Sequence, residues 1–226
     1  MKVLAITPAF NAEKTIDSLI EVLLQTFDTE DILLIDDGST DHTLEIAKRN
    51  RIQVIRFERN MGKGAALKTG FKLAIEKGYD AALTIDSDLQ HPPELCANFI
   101  DKMKKSSADL VLGDRMTDVR GMPFIRKFSN SATSFFVRLW TGEKMRDSQC
   151  GFRLISTSIL RNVHLRIDRY QTETELLLEA SSLGAKFSYV TIPTIYNEQP
   201  SNINGFSETL SFIGLMLSYP FRRIPK

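Results

Sequence analysis

The sequence predicts an α/β fold: a doubly wound, mainly parallel sheet with helices on both faces. Three observations predict it. Five short apolar runs with β-branched residues recur over residues 1–115. Stretches with helical spacing lie between them. Polar, turn-forming residues collect where the apolar runs end. Parallel strands need crossovers, and the intervening helices supply them.

Each element has its own signal. Lys2–Thr7 reads as the first strand, and Ile16, Leu19, Ile20 and Leu23 then repeat with helical period. Asp31–Ile35 is the second strand and stops on Asp36-Asp37-Gly38. Thr40 or Asp41 caps a helix that runs to Arg49. Ile52–Phe57 is a third strand, and Gly62–Lys77 a helix carrying Leu67, Phe71, Leu73 and Ala74. Ala81–Ile85 is a fourth strand ending on Asp86. Pro92 suits the first turn of a helix through Lys105. Asp109–Gly113 is the fifth strand. Further on, Phe128, Ala132, Phe135, Phe136, Leu139 and Trp140 share one helical face. Gln171–Ser182 reads as a helix, Phe187–Ile192 as a strand and residues 205–219 as a last amphipathic helix. A single domain over residues 1–226 is expected, with residues 1–115 and 116–200 as two halves and 201–226 as an amphipathic tail.

Composition narrows the function. Hydrophobic residues make up 42% and charged residues 25%, which excludes a disordered chain and a membrane bundle. The net charge of +1 argues against a general nucleic-acid binder. The charge is unevenly spread. Residues 1–115 hold 15 basic and 19 acidic side chains, and residues 116–169 hold 10 and 4. A basic middle beside an acidic first half marks a partner surface. Cys96, Cys150 and the three scattered histidines form no zinc pattern, so two reduced thiols in a cytosolic protein are expected. The apolar start is too short for a signal peptide. Leu210–Phe221 falls short of the roughly 20 residues that span a bilayer. Contact with a membrane surface stays open.

In an open α/β sheet, ligands bind beyond the carboxyl ends of the strands. The unusual polar segments stand there: Pro8 to Glu13, Asp36 to Asp41, Asp86 to Glu94, and Gly113-Asp114-Arg115. Asp36-Asp37-Gly38-Ser39 also reads as an ordinary turn. Asp86 and Asp88 would repel unless a cation sits between them, and a hard divalent ion accepts carboxylate, water and phosphate oxygens together. Gln90 offers a further oxygen. Such a triplet is weak alone. Lys63 reads as a phosphate contact, favoured by its neighbours Asn60 and Gly64, or else as a solvated helix-start lysine. No Walker loop, dinucleotide fingerprint or nucleophile elbow is present. Pro8–Glu13 also lacks the glycines that a sugar nucleotidyltransferase would need there.

Taken together the segments resemble the family-two glycosyltransferases of the GT-A fold, and among them the polyprenol-phosphate sugar transferases of the dolichol-phosphate mannose synthase type. The resemblance rests on Pro8-x-x-Asn11-x-Glu13, Asp36-Asp37-Gly38-Ser39-x-Asp41-x-Thr43, Asn60-x-Gly62-Lys63-Gly64, Asp86-x-Asp88-x-Gln90-His91-Pro92-Pro93-Glu94, Gly113-Asp114-Arg115 and Asp147-x-x-Cys150-Gly151-Phe152-Arg153. It implies that Pro8, Asn11, Glu13, Asp36, Asp37, Ser39, Lys63 and Asp86 line a nucleotide, one Asp of the 36–37 pair reading the base. It implies that Asp86, Asp88 and Gln90 hold Mg²⁺ or Mn²⁺ on the donor diphosphate and that Arg115 neutralises its oxygens. Asp147, Gln149 and Arg153 would border the acceptor. Residues 1–115 then form the nucleotide-sugar half and 116–200 the acceptor half.

The expected reaction is inverting transfer of a hexose, mannose or glucose, from a GDP- or UDP-sugar to a polyprenyl phosphate. Metal and arginine stabilise charge on the leaving diphosphate. A phosphate acceptor needs no base; a saccharide hydroxyl would, with Asp147 the candidate. A module that binds nucleotide-sugars without catalysis is a third reading, and the intact Asp86, Asp88, Gln90 and Arg115 speak against it. Arg120, Arg126, Lys127 and Arg138 beside the aromatic stretch Phe124–Trp140 suit an anionic lipid, although the aromatics also read as core and the charges as a solvated face. A cytoplasmic, peripheral location at the membrane's cytoplasmic face is expected.

Overall fold

The computed structural model describes residues 1–117, 124–143, 145–193, 195, 212, 214–216 and 219, with backbone alone at 124–126, 128 and 129. A seven-stranded sheet runs through it in the order β3-β2-β1-β4-β6-β5-β7. The strands are β1 (Val3–Ala9), β2 (Ile32–Asp36), β3 (Gln53–Arg56), β4 (Ala81–Thr84), β5 (Leu110–Asp114), β6 (Arg153–Ser156) and β7 (Phe187–Thr191). Strands β1 to β4 pair in parallel, as do β5 and β7. Strand β6 runs antiparallel to β4 and β5 and joins them.

The helices are α1 (Ile16–Leu23), α2 (Thr43–Arg49), α3 (Lys63–Glu76), α4 (Cys96–Ser106), α5 (Phe124–Thr141), α6 (Thr157–Leu160) and α7 (Thr172–Ser182). Period-two alternation along β1 divides the core in two. Val3, Ala5 and Ala9 pack with α1, α2 and α4 on one face. Leu4 and Ile6 pack with α3, α5 and α7 on the other. The expected doubly wound, mainly parallel α/β sheet is the one found.

Strands β1, β2 and β3 march one way from the centre, and the chain then returns to lay β4 on the other side of β1. The crevice at the carboxyl ends of β1 and β4 is therefore the switch point where such sheets take ligands. The loops singled out in the sequence converge on it.

Three local expectations change. Strand β6 and the single-turn α6 have no sequence signal: Arg153-Leu154-Ile155-Ser156 is short and begins on a charge, and only burial between β4 and β5 makes it a strand. The helix expected from Pro92 opens with a 3₁₀ turn, Pro93–Leu95, and becomes α-helical at Cys96. On α5, Val137 and Ser134 face inward, whereas Phe135, Phe136, Leu139 and Trp140 are 62%, 46%, 68% and 44% exposed. Those four are therefore not core. The expected helix at 205–219 and the amphipathic tail at 201–226 lie mainly outside the described residues. Among those described, no helix is long and apolar enough to cross a membrane.

Candidate active site

The loops after β1 and β2 are knitted together by side chains. The Asn11 N–H donates to Ser39 Oγ at 2.9 Å, and the Thr40 N–H donates to Asn11 Oδ1 at 2.9 Å. The Ala12 N–H donates to Thr43 Oγ1, and the Glu13 N–H to Asp41 Oδ2. Glu13 Oε2 pairs with His42 Nδ1 at 2.9 Å. Hydrogen bonding to His42 lowers the Glu13 pKa, and the same contact raises that of His42. Asn11 sits at φ +52°, which Asn tolerates better than most residues. This accounts for Asn11, Glu13 and Ser39 in one motif: they fix the shape of the loop pair beside the half-buried Pro8.

Asp36 and Asp37 are buried. Asp36 Oδ1 accepts the Ser39 N–H at 2.8 Å, and Arg56 Nε stands 3.5 Å from Oδ2. Asp37 accepts the Met61 and Gly62 N–H groups at 2.6 and 2.9 Å. Burial raises the Asp37 pKa, against those two bonds. Both carboxylates are buried in the loop; the Asp37 oxygens take backbone N–H groups, whereas Asp36 Oδ2 has no hydrogen-bond partner among the described residues. Gly38, at φ +78°, lets this turn press on the Arg59 backbone, where a Cβ would sit 2.7 Å from a carbonyl carbon.

Lys63 opens α3 between Gly62 and Gly64. A Cβ at Gly62 would stand 2.5 Å from the Asp168 carbonyl oxygen, and one at Gly64 would overlap Thr172. The glycines thus serve close packing of the 168–172 segment rather than a phosphate loop. Lys63 Nζ is 2.6 Å from Asp86 Oδ1 and 3.0 Å from Glu173 Oε2 on α7. Burial pushes the lysine's pKa down, but Asp86 and then Glu173 outweigh it and hold it above its ordinary value. Burial pushes Asp86 up, while Lys63 and His91 together bring it well below the carboxylate range. His91, buried, stands 3.6 Å from Asp86 Oδ2.

Asp88 is raised, by burial first and by the Asp86 charge second. Its Oδ1 accepts the Gln90 N–H at 3.0 Å, and Leu89 between them adopts φ +58°, a strained conformation for a leucine. Two carboxylates that raise one another's cost are relieved by a cation, so the pair suits a hard divalent ion with phosphate oxygens completing its shell. Among the described residues, no three acidic, His or Cys groups already surround a common point.

Across the crevice, Arg115 and Asp147 form a two-pronged ion pair. Nε donates to Oδ2 at 2.7 Å and Nη2 to Oδ1 at 3.0 Å. The Asp147 side chain is 0% exposed. Its Oδ1 also accepts the Gln149 N–H, while Gln149 itself is exposed. Arg153 departs from expectation. It is buried, and its guanidinium donates to the carbonyls of Ser148, Cys150 and Glu173 at 2.7–2.9 Å. It cannot border an acceptor; it ties the 147–152 segment to α7. Cys150 and Cys96 are both buried, and burial pushes each thiol up to about 12.

Of the basic residues expected near the acceptor, Lys127 and Arg138 are exposed on α5. Arg126 lies on α5 with only its backbone described, and Arg120 lies outside the described residues. The structure adds three residues absent from the expected site. Glu173 completes the lysine cluster. Gly151 lies against the Asp86 carboxylate. Arg146 stands 3.7 Å from Asp114 and, with Arg138, Met116 and Phe135, lines a cavity of about 370 Å³. Glu173 had no distinguishing sequence signal, because Thr172–Ser182 carries three glutamates, Glu173, Glu175 and Glu179.

A doubly wound sheet whose switch point gathers paired carboxylates, a lysine and an arginine defines a class: enzymes that handle a phosphorylated ligand. Residues 4–163 match the sequence model of glycosyl transferase family 2; the chain belongs to that family and is a glycosyltransferase. It is 34% identical over 215 residues to a UDP-N-acetylglucosamine–dolichyl-phosphate N-acetylglucosaminyltransferase of Methanococcus voltae, covering 85% of each chain. It is 26% identical to a polyprenol monophosphomannose synthase of Mycolicibacterium smegmatis over 91% of this chain and 81% of that one. The glucosyl-3-phosphoglycerate synthase of Mycobacterium tuberculosis, solved with Mn²⁺, UDP and glucosyl-3-phosphoglycerate, shares the fold with a TM-score of 0.74. It is 22% identical, and the match covers 100% of this chain and 81% of that one.

Proposed function

We propose that this enzyme transfers a hexose, with inversion, from a UDP- or GDP-sugar to a polyprenyl phosphate in the presence of Mg²⁺ or Mn²⁺. One observation carries the choice of acceptor. Asp147, the candidate base for a hydroxyl acceptor, is wholly buried and has both oxygens clamped by Arg115. A base must reach the proton that it removes. A phosphate acceptor arrives ionised and needs none. Relatives named for transfer to dolichyl and undecaprenyl phosphate support the same choice.

In this reading the donor lies along Pro8, Asn11, Glu13 and Ser39, with its diphosphate between Lys63 and Arg115. Asp86 and Asp88, with Gln90 beside them, would hold a divalent ion, whose chemistry would be to offset the charge that grows on the leaving diphosphate. Arg115, kept in place by Asp147, neutralises more of it. An acceptor phosphate oxygen attacks the anomeric carbon from the face opposite the departing diphosphate, a new C–O bond forms, and the nucleoside diphosphate leaves with the electron pair. Lys127 and Arg138 meet the anionic headgroup. The exposed Phe135, Phe136, Leu139 and Trp140 lie in the lipid interface, so the enzyme works peripherally at the cytoplasmic face of a membrane.

The test mixes the full chain with labelled UDP- or GDP-sugar, a polyprenyl phosphate and Mn²⁺. A labelled lipid is expected, and Asp88→Ala lowers its rate about 10²-fold or more. Transfer to saccharides with no lipid product from any donor would overturn the reading.

A further inference from the structure

Lys63 does something the reaction scheme leaves unexplained. Its ammonium is shared between Asp86, which faces the switch point, and Glu173, which lies behind it on α7. All three side chains are largely sequestered, with exposures of 15%, 25% and 12%. Glu173 Oε1 is buried with no hydrogen-bond partner among the described residues, a carboxylate with unused accepting capacity. Leaving His91 aside, Asp86, Asp88 and Glu173 carry three negative charges against one ammonium. The remaining two match one divalent ion.

We infer that Glu173 is a positioning residue, a second seat for the Lys63 ammonium. Lys63 acts as a stand-in cation on Asp86 until a divalent ion arrives, then swings onto Glu173, ready for the donor's phosphates.

The packing makes Glu173 a fixed seat. Arg153 donates to the Glu173 carbonyl at 2.7 Å. Two residues on, Glu175 is buried and accepts the N–H groups of Arg166 and Ile167 at 2.9 and 3.0 Å. The 168–172 segment seats on Gly62 and Gly64 on either side of Lys63. The lysine stem is therefore held at its root while its head has two partners within reach. An ammonium and a divalent ion on one carboxylate repel, and that repulsion falls if the ammonium has another carboxylate to take up. Without Glu173, ion binding would have to expel a buried ammonium into a site with no counter-charge.

The inference rests on Asp86 as a cation ligand, and the experiment separates the two claims. Mn²⁺ binding to the full chain is measured by electron paramagnetic resonance without nucleotide. Lys63→Met removes the competitor and is expected to tighten Mn²⁺ binding about tenfold, while weakening UDP or GDP binding in saturating Mn²⁺ by a similar factor. Glu173→Gln is expected to weaken Mn²⁺ binding about tenfold. On the Lys63→Met background the Glu173→Gln effect should vanish, because Glu173 acts through the lysine. Persistence of that effect would make Glu173 a direct ligand and overturn the inference. So would unchanged Mn²⁺ affinity in Lys63→Met. If either single variant fails to fold, the double variant, which removes opposite charges together, decides: tighter Mn²⁺ binding than wild type supports the inference, and equal or weaker binding refutes it. Failure of wild type to bind Mn²⁺ at all would instead overturn the cation reading of Asp86.

Discussion

Gly151→Ala tests the site most sharply, because one methyl group acts on one carboxylate. A Cβ at Gly151 would lie 2.5 Å from Asp86 Oδ2 and 2.9 Å from both Cγ and Oδ1. Ordinary contact begins near 3.4 Å, so Oδ2 must retreat by about 0.9 Å. The backbone at 151 cannot give way instead. Its carbonyl accepts Thr84 Oγ1 at 2.8 Å, the Cys150 carbonyl accepts Arg153 Nε at 2.7 Å, and the Phe152 carbonyl accepts the Gly113 N–H at 3.0 Å. The φ of Gly151 is not positive, so alanine brings no backbone strain. The Asp86 carboxylate therefore moves, and its 2.6 Å contact with Lys63 is strained or lost. A misplacement near 1 Å costs about 10²-fold in rate. Overpacking costs about 1–3 kcal/mol of stability, so the variant stays folded. Steady-state transfer at varied Mn²⁺ should show kcat/KM reduced about 10²-fold and Mn²⁺ affinity about tenfold, with a melting temperature lower by roughly 2–12 °C. Wild-type kcat/KM and Mn²⁺ affinity in the variant would refute the placement of Asp86.

Three other outcomes are expected. Asp147→Ala strands the Arg115 guanidinium in a buried site without that carboxylate, which should cost about 3–5 kcal/mol and lower the melting temperature by roughly 6–20 °C in calorimetry. By NMR titration, His42 should ionise above the ordinary value of about 6.5 and return towards it in Glu13→Gln. Because its folded-state pKa is raised, the stabilisation it draws from Glu13 is present below the ordinary His range and fades as pH rises through the shifted value; Glu13, whose pKa is lowered, loses its share as pH falls through its own. Leu139→Asp on the exposed face of α5 should weaken co-sedimentation with anionic vesicles several-fold while leaving the circular dichroism spectrum unchanged.

Much of the fold was legible because period and punctuation are local. Ile16, Leu19, Ile20 and Leu23 announce a helix with an apolar stripe, and Asp86 and Asp37 stand where strand runs end. Strand β6 was not legible, since four residues headed by Arg153 become a strand only between two neighbours supplied from elsewhere in the chain. The side-chain assignments divided in the same way. The motif containing Asp147 and Arg153 marked a real cluster, but adjacency in sequence could not say that Arg153 turns to three carbonyls and away from the crevice. The aromatics of α5 were equally open to core and to surface, because spacing defines a face but not what that face meets.

The sequence by itself determined the doubly wound sheet, the positions of the polar loops at strand ends and the residue types that gather there. These follow from short-range rules of period, turn and cap. The tertiary structure alone decided the partnerships: Lys63 between Asp86 and Glu173, which are 87 residues apart in the chain, and Arg115 clamped on Asp147. Those pairings depend on which loops the sheet order brings together, and on burial strong enough to make each charge find a partner.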